Sequence, residues 1–450
     1  MITIVLRSWL ACGLVILASA APALAQTVAP PRAIDVQRYT ARVEPDIAQK
    51  TLRGHVSIDL VVLTAGLETI ELDSGDLTVD AVREGAAPQA FTQGERRLRI
   101  RLARPARVDE KRTIAIDYHG APTRGVLFFP DRSQVHPVFS TSQWLVCVDA
   151  PEDKAALHLT LVLPAGLRAV GNGRQMRSRT ERDGRVAWEW RQDRPMSTYL
   201  FGFAAGPFTE ATDPRSRRPR LRYLGDGYSV AELRQIFNET PGILRFFEER
   251  AGVRYGDEAY TQVISAWAGK TGQEMSSLTV LTEGFGRALL KDPADVWLEA
   301  HELAHQWWGN LLTCRDWTHF WLNEGFASFM AAAYQEQRFG REAYLRSIAT
   351  VRANYERVRD EGHDRSLVFP DWNRPTASDR TLVYDKGAYV LHLLREKLGE
   401  DSFWKGIRFY TRTYAGRSVT TADFQKAMEQ STGQDLSGFF AQWIFAASPR

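Results

Sequence analysis

"HELAHQWWGN", residues 301–310, is the stretch on which the reading of this chain turns. Two histidines four apart share one side of a helix, because four residues make a little more than one turn. Two imidazoles so placed suit a single zinc ion, and Glu302 between them suits a base beside it. The wider run "DPADVWLEAHELAHQWWGNLL", residues 292–312, reads as one helix. Asp292 is its expected N-cap, with Pro293 at the first helical position, where a missing N–H costs nothing. Val296, Ala300, Leu303, Trp307 and Leu311 form an apolar stripe, and His301 and His305 form a second stripe beside it. Taken alone, the same five residues would also describe two half-buried helix histidines with no metal.

The chain downstream narrows the choice. Glu324, in "FWLNEGFASFMAAAYQ", lies nineteen residues after His305, near the start of another helical pattern. On its own it could be an acid favoured by a helix N-terminus. A hairpin of two helices would instead bring its carboxylate to the histidines. His301, His305 and Glu324 then make a three-ligand site for one zinc ion, with a position left for water. Zinc lowers the pKa of such a water towards neutrality. Glu302 is placed to take the proton and pass it to a leaving amine.

The rest of the sequence sets the frame. The chain has 450 residues, 44% hydrophobic and 25% charged, the composition of an ordinary globular protein of two or three domains. A formal charge of +3 gives no electrostatic case for nucleic acid. Residues 1–25 carry Arg7 as their only charge, an apolar run from Trp9 to Leu17, and Ala23-Leu24-Ala25 at the end. This is the layout of a signal peptide, too short in its apolar run to span a membrane comfortably, with an uncleaved anchor as the alternative. Export, to a periplasm or the exterior, is therefore expected, with a mature charge of +3 − 1 = +2 and no transmembrane segment. Cys147 and Cys314 would remain, expected as two buried thiols rather than one bridge.

Residues 27–35 read as a flexible lead-in. From about Val36 to Phe203 the dominant period is two. Val56, Ile58, Leu60 and Val62 share one face, Leu98, Ile100 and Leu102 another, and Ile114 and Ile116 a third. This predicts an all-β domain, taken as residues 36–207. Helical spacing then appears in "SVAELRQIFNETPGILRFFEERAG", divided or kinked at Pro241, and dominates beyond Asp292. The five arginines between Arg215 and Arg222 read as a solvated loop entering a strand. Trp307, Trp308, Trp317 and Trp321 read as core rather than as a substrate groove.

"HELAHQWWGNLLT" followed by "WLNEGFA" closely resembles the zinc-binding region of the M1 family of metallo-aminopeptidases, the gluzincins. The resemblance implies that His301, His305 and Glu324 bind zinc and that Glu302 is the general base. It also implies a thermolysin-like catalytic domain over residues 208–450. "GKTGQEMSSLTVL" is similar to the family's Gly-x-Met-Glu-Asn segment, whose glutamate holds the substrate's free ammonium. Glu274 keeps that place, with Gln273 where Met is usual and Met275 where Asn is usual; a strand-edge glutamate is the plainer alternative. "LVYDKGAYVLHLL" resembles the Tyr-Glu-Lys-Gly stretch, so Tyr384 is the implied oxyanion donor, with Asp385 in place of Glu. "VCVDAPEDKAALHLTLVLP" and "MSTYLFGFAAGPF" are similar to stretches of the family's N-terminal β domain. Gln143 is a candidate for its glutamine-bearing loop, and His319 for a group supporting the ligands.

The implied function is an exported zinc aminopeptidase acting on peptides with free N-termini. The alternatives are a zinc endopeptidase with an open cleft and a non-catalytic peptide-binding relic. "FFAQWIFAASPR" falls about where the catalytic domain should end, so either the cleft is open or a partner covers it.

Overall fold

Val56, Ile58, Leu60 and Val62 are buried along the strand Thr51–Val62, and the residues between them keep some exposure. The same alternation buries Leu98, Ile100 and Leu102 in Arg97–Ala106, and Ile114 and Ile116 in Lys111–Gly120. The two-residue period thus marks strands with one face on a core. The computed structural model describes residues 32–369, 372 and 375–447, so the signal-peptide reading of residues 1–25 lies outside the described residues.

Among the described residues the first half forms sheets of eight, four and three strands. The eight-stranded sheet centres on Ile34–Asp46, which pairs antiparallel with Thr51–Val62 and parallel with Lys154–Leu163. Ile34 and Asp35, expected to be flexible, are already strand, because Ile34 opposes Val62 in the sheet. One apolar cluster joins the three sheets, including Val36, Ile58, Leu98, Ile116, Leu159 and Phe201.

The second half is mixed α/β and mainly helical. It opens on a five-stranded sheet in the order Thr209–Thr212, Arg220–Gly225, Ala259–Ser265, Leu278–Thr282, Gly272–Gln273. Its middle three strands are parallel, and the last is a two-residue antiparallel edge. Ala259–Ser265 and Leu278–Thr282 are buried along almost their whole length, as parallel strands covered on both faces are. Pro241 divides two helices, standing in the first turn of Thr240–Ala251 after Val230–Ile236. Arg215 pairs with Asp213 and Arg222 with Glu210, so part of the arginine run is neutralised locally.

The helix expected over residues 292–312 is shorter. It runs Trp297–Ala304, and the Asp292 carboxylate accepts from the Ala294 N–H (3.0 Å) in a turn before it. Beyond His305 the chain folds back at Gly309, whose φ of 140° is closed to other residues. Asn310 N–H then donates to the His305 carbonyl (2.9 Å) and Leu312 N–H to that of Trp307 (2.9 Å). Trp307, Trp308 and Trp321 are core, and Trp317 packs at its margin.

The first half braces this turn. Tyr199 Oη donates to the Gly309 carbonyl (3.0 Å) and accepts from Asn323 Nδ2 (3.0 Å). Lys154 Nζ donates to the carbonyls of Leu311 (3.3 Å) and Arg417 (3.2 Å). Cys147 and Cys314 are both buried and unbridged. No helix among the described residues is long and apolar enough to cross a membrane.

Candidate metal centre and active site

His301 lies in the helix Trp297–Ala304 and His305 caps its end, while Glu324 stands in the first turn of Trp321–Phe339. Their donor atoms form a near-equilateral triangle. His301 Nε2 is 3.2 Å from Glu324 Oε2, His305 Nε2 is 3.3 Å from it, and the two Nε2 atoms are 3.2 Å apart. The edge of a tetrahedron with zinc-to-ligand bonds of about 2.0–2.1 Å is about 3.3 Å. The donors therefore fit a zinc ion, with a fourth corner to spare.

The outer nitrogens are also committed. His305 Nδ1 donates to the Trp308 carbonyl (3.1 Å), which leaves Nε2 as the lone pair. His301 Nδ1 faces Ser328 Oγ (3.4 Å), and its ring is flanked by Trp297 (5.0 Å between centroids) and Tyr384 (5.9 Å, 6° between planes). Without a cation the donors neutralise one another. Burial opposes charge on His305, but Glu324 outweighs it and holds the imidazolium to about 10. Burial likewise opposes ionisation of Glu324, yet His305 and His301 pull its carboxyl down to about 2. An incoming metal ion thus takes the place of a proton.

Glu302 points into the same space. A Cβ on Gly272 would stand 2.5 Å from the Glu302 carboxyl carbon, so a larger residue there would displace this side chain. Glu302 Oε2 is buried with no hydrogen-bond partner among the described residues, and burial pushes its carboxyl well up. Glu274 follows on from that edge strand. Its Oε2 accepts from Gln273 Nε2 (2.7 Å), its Oε1 is buried and unpartnered, and burial raises its carboxyl to about 7.

Gln306 and Asn310, to which sequence reasoning gave no role, hold this segment in place. Asn310 Nδ2 donates to the Glu274 carbonyl (3.0 Å) and Gln306 Nε2 to that of Met275 (3.2 Å), while Gln306 Oε1 accepts from Ser277 N–H (2.9 Å). Both lie inside the ten-residue motif, and that proximity to the histidines was the available signal. From the β domain, Asn172 Nδ2 donates to the Ser276 carbonyl (2.6 Å). A Cβ on Gly202 would overlap Met275, which accounts for the glycine there.

Tyr384 sits in a π-helical turn, Leu382–Lys386, a local widening often found at functional sites. Burial, then the carboxylates of Glu324, Glu274 and Glu302, keep its hydroxyl protonated. The approach depends on two glycines. A Cβ on Gly325 would stand 2.9 Å from Gly387 Cα, and one on Gly387 would stand 2.9 Å from Gly325 Cα. Lys386, fully buried, anchors the turn through Asp364 (2.8 Å) and the Arg365 carbonyl (2.9 Å). Asp385 accepts from Asn354 Nδ2 (3.2 Å).

The structure thus gathers His301, His305, Glu324, Glu302, Glu274 and Tyr384. Two weaker candidates lie elsewhere. Gln143 is buried against Gly75 and Gly125 in the β domain. His319 Nδ1 bonds Thr421 (3.0 Å), an attachment between helices.

Both halves of the chain are similar to known proteins. Residues 36–200 match the peptidase M1 N-terminal domain and residues 236–443 the peptidase family M1 domain. Leucyl aminopeptidase of Saccharolobus solfataricus is 24% identical over 442 residues, covering 91% of this chain and 53% of that protein. Aminopeptidase N of Bos taurus is 29% identical over 313 residues, 65% of this chain and 32% of that protein. The chain spans about half the length of the curated relatives it matches first. The crystal structure of an M1 zinc metallopeptidase from Deinococcus radiodurans shares the fold, with a TM-score of 0.80 and 24% identity over 93% of this chain and 95% of that one. A similar structure, also with a TM-score of 0.80 and 24% identity, covers 96% of its own chain and is a two-domain M1 zinc metallopeptidase. Matched in order along both halves, and with His301, His305 and Glu324 set as zinc ligands, the chain belongs to peptidase family M1.

Proposed function

We propose that this protein is an exported zinc aminopeptidase, removing residues from the free N-termini of peptides. The observation that carries the reading is Glu274. Its carboxyl is buried beside the metal site, with one oxygen unpartnered and no lysine or arginine bonded to it among the described residues. A substrate ammonium would supply the missing charge, whereas an internal amide offers none.

The zinc ion, when bound, polarises the scissile carbonyl and makes hydroxide available near neutral pH. The chain's own groups do the rest. Glu274 holds the ammonium and so fixes which peptide bond reaches the metal. Glu302 accepts the proton of the attacking water through its unpartnered oxygen and returns it to the leaving nitrogen as the C–N bond breaks. Tyr384 donates a hydrogen bond to the carbonyl oxygen as negative charge develops there. The names of the relatives support the activity, and a Deinococcus radiodurans M1 zinc metallopeptidase mutant has been captured with a Tyr-Ser-Ala substrate. Export rests on residues 1–25 alone.

The test uses zinc-loaded protein and two peptides of one sequence, free and N-acetylated, with products read by mass spectrometry. Stepwise trimming of the free peptide alone is expected. Equal cleavage of both would mark an endopeptidase and overturn the aminopeptidase reading.

A further inference from the structure

Gln273 is where this chain departs from the family segment, at the residue next to Glu274. It is 2% exposed, and its backbone is pinned as half of the edge strand Gly272–Gln273, paired with Val280. Its amide nitrogen lies 2.7 Å from Glu274 Oε2. A carboxylate only accepts, so this contact fixes which way round the amide stands. Hydrogen bonds to an ionised acceptor are short and about twice as strong as neutral ones.

The consequence concerns the two oxygens of Glu274. Oε2 has its donor, and Oε1 has none. A methionine at 273 would leave both oxygens bare and the carboxylate free to rotate about its terminal torsion, which is soft for glutamate. The backbone just beyond Glu274 is meanwhile held by Asn310, whose Nδ2 donates to the Glu274 carbonyl (3.0 Å). Backbone and side chain are therefore tied by separate residues.

We infer that Gln273 is a positioning residue: it fixes the Glu274 carboxylate so that Oε1 alone is presented to the N-terminal ammonium of the substrate. This rests on the aminopeptidase reading. Gln273 acts through Glu274 and touches no reacting atom, so its effect falls on recognition of the amine rather than on bond cleavage.

The measurement uses zinc-loaded Glu302→Gln protein, which binds without turning over, and two ligands, L-leucinamide and 4-methylpentanamide. These differ only in the amino group. Adding Gln273→Met should weaken L-leucinamide about tenfold, the worth of one hydrogen bond to a charged group, and leave 4-methylpentanamide unchanged. An equal loss for both ligands would make Gln273 merely structural and overturn the inference. So would no loss for either. If the Glu302→Gln background already binds the two ligands equally, the ammonium role of Glu274 fails, and the inference with it. In the active enzyme, Gln273→Met should raise KM about tenfold with kcat within about twofold and zinc content unchanged. A fall in kcat at constant KM would also overturn it.

Discussion

Carboxylates are treated in opposite ways on the strands of the β domain and in the cleft. On those strands many meet arginines. Arg42 reaches Glu181 (2.8 Å) and Glu44 (2.9 Å), Arg185 reaches Glu44 (2.8 Å), and the buried Arg112 reaches Glu84 (2.9 Å). In the cleft, Glu274 and Glu302 are buried with no lysine or arginine bonded to them among the described residues, and Glu324 pairs with the two histidines. Burying a carboxylate without a counter-charge is costly, and the usual outcome is a raised pKa, as at Glu274 and Glu302. On the proposed function, the difference marks where cations come from outside the chain: a metal ion for Glu324 and an ammonium for Glu274. Glu299, buried two residues before His301, is the intermediate case. Thr240 Oγ1 and Gln262 Nε2 (3.4 Å) donate to it, and burial raises it to about 7.

The sharpest way to break this contrast is Glu302→Gln. It keeps shape and hydrogen-bonding capacity but removes the base, so kcat should fall by roughly 10²–10⁴ while zinc content stays at one ion per chain. Unchanged turnover in zinc-replete protein would return Glu302 to the ordinary buried carboxylates.

A second effect follows from the metal's competition with a proton. With His305 held to about 10 in the metal-free site, the imidazole is charged at neutral pH and must lose that proton when zinc binds. Apparent zinc affinity should therefore weaken about tenfold for each unit the pH falls between roughly 8 and 6. Competition against a chelator of known affinity checks the slope, and a flat profile would show that His305 is neutral before the metal arrives.

The smallest effect belongs to the β domain. Glu71→Gln removes the carboxylate charge opposite Arg99 (2.9 Å) in an exposed pair. The loss on chemical denaturation should stay below about 1 kcal/mol.

Legibility in the sequence followed the range of the interactions. The histidines and Glu324 were readable because helical spacing is local and a hairpin of two helices is the simplest way to join them. The β domain was readable from alternation, since one face of each strand meets the core. The parallel strands Ala259–Ser265 and Leu278–Thr282 were not, because strands buried on both faces carry no alternation to read. The helix start was misplaced because Asp292 and Pro293 carry the chemistry of a helix cap and of a turn alike, and here they make a turn. Glu274 and Tyr384 were reached by resemblance alone. What holds Glu274, namely Gln306, Asn310 and Asn172, depends on contacts between segments 29 or more residues apart and leaves no local signature.

Gly325 and Gly387 meet backbone to backbone, and this decides how the cleft can move. Side chains adjust by hopping between rotamers, but a contact between two α-carbons has no rotamer to change. The spacing between the segments carrying Glu324 and Tyr384 is accordingly set by backbone contact rather than by side chains. Glu274 is placed differently, by side-chain hydrogen bonds from Gln273 to its carboxylate and from Asn310 to its carbonyl. On the proposed function, a substrate would meet a metal and a phenol spaced by backbone contact, and a carboxylate for its amine set by side-chain hydrogen bonds.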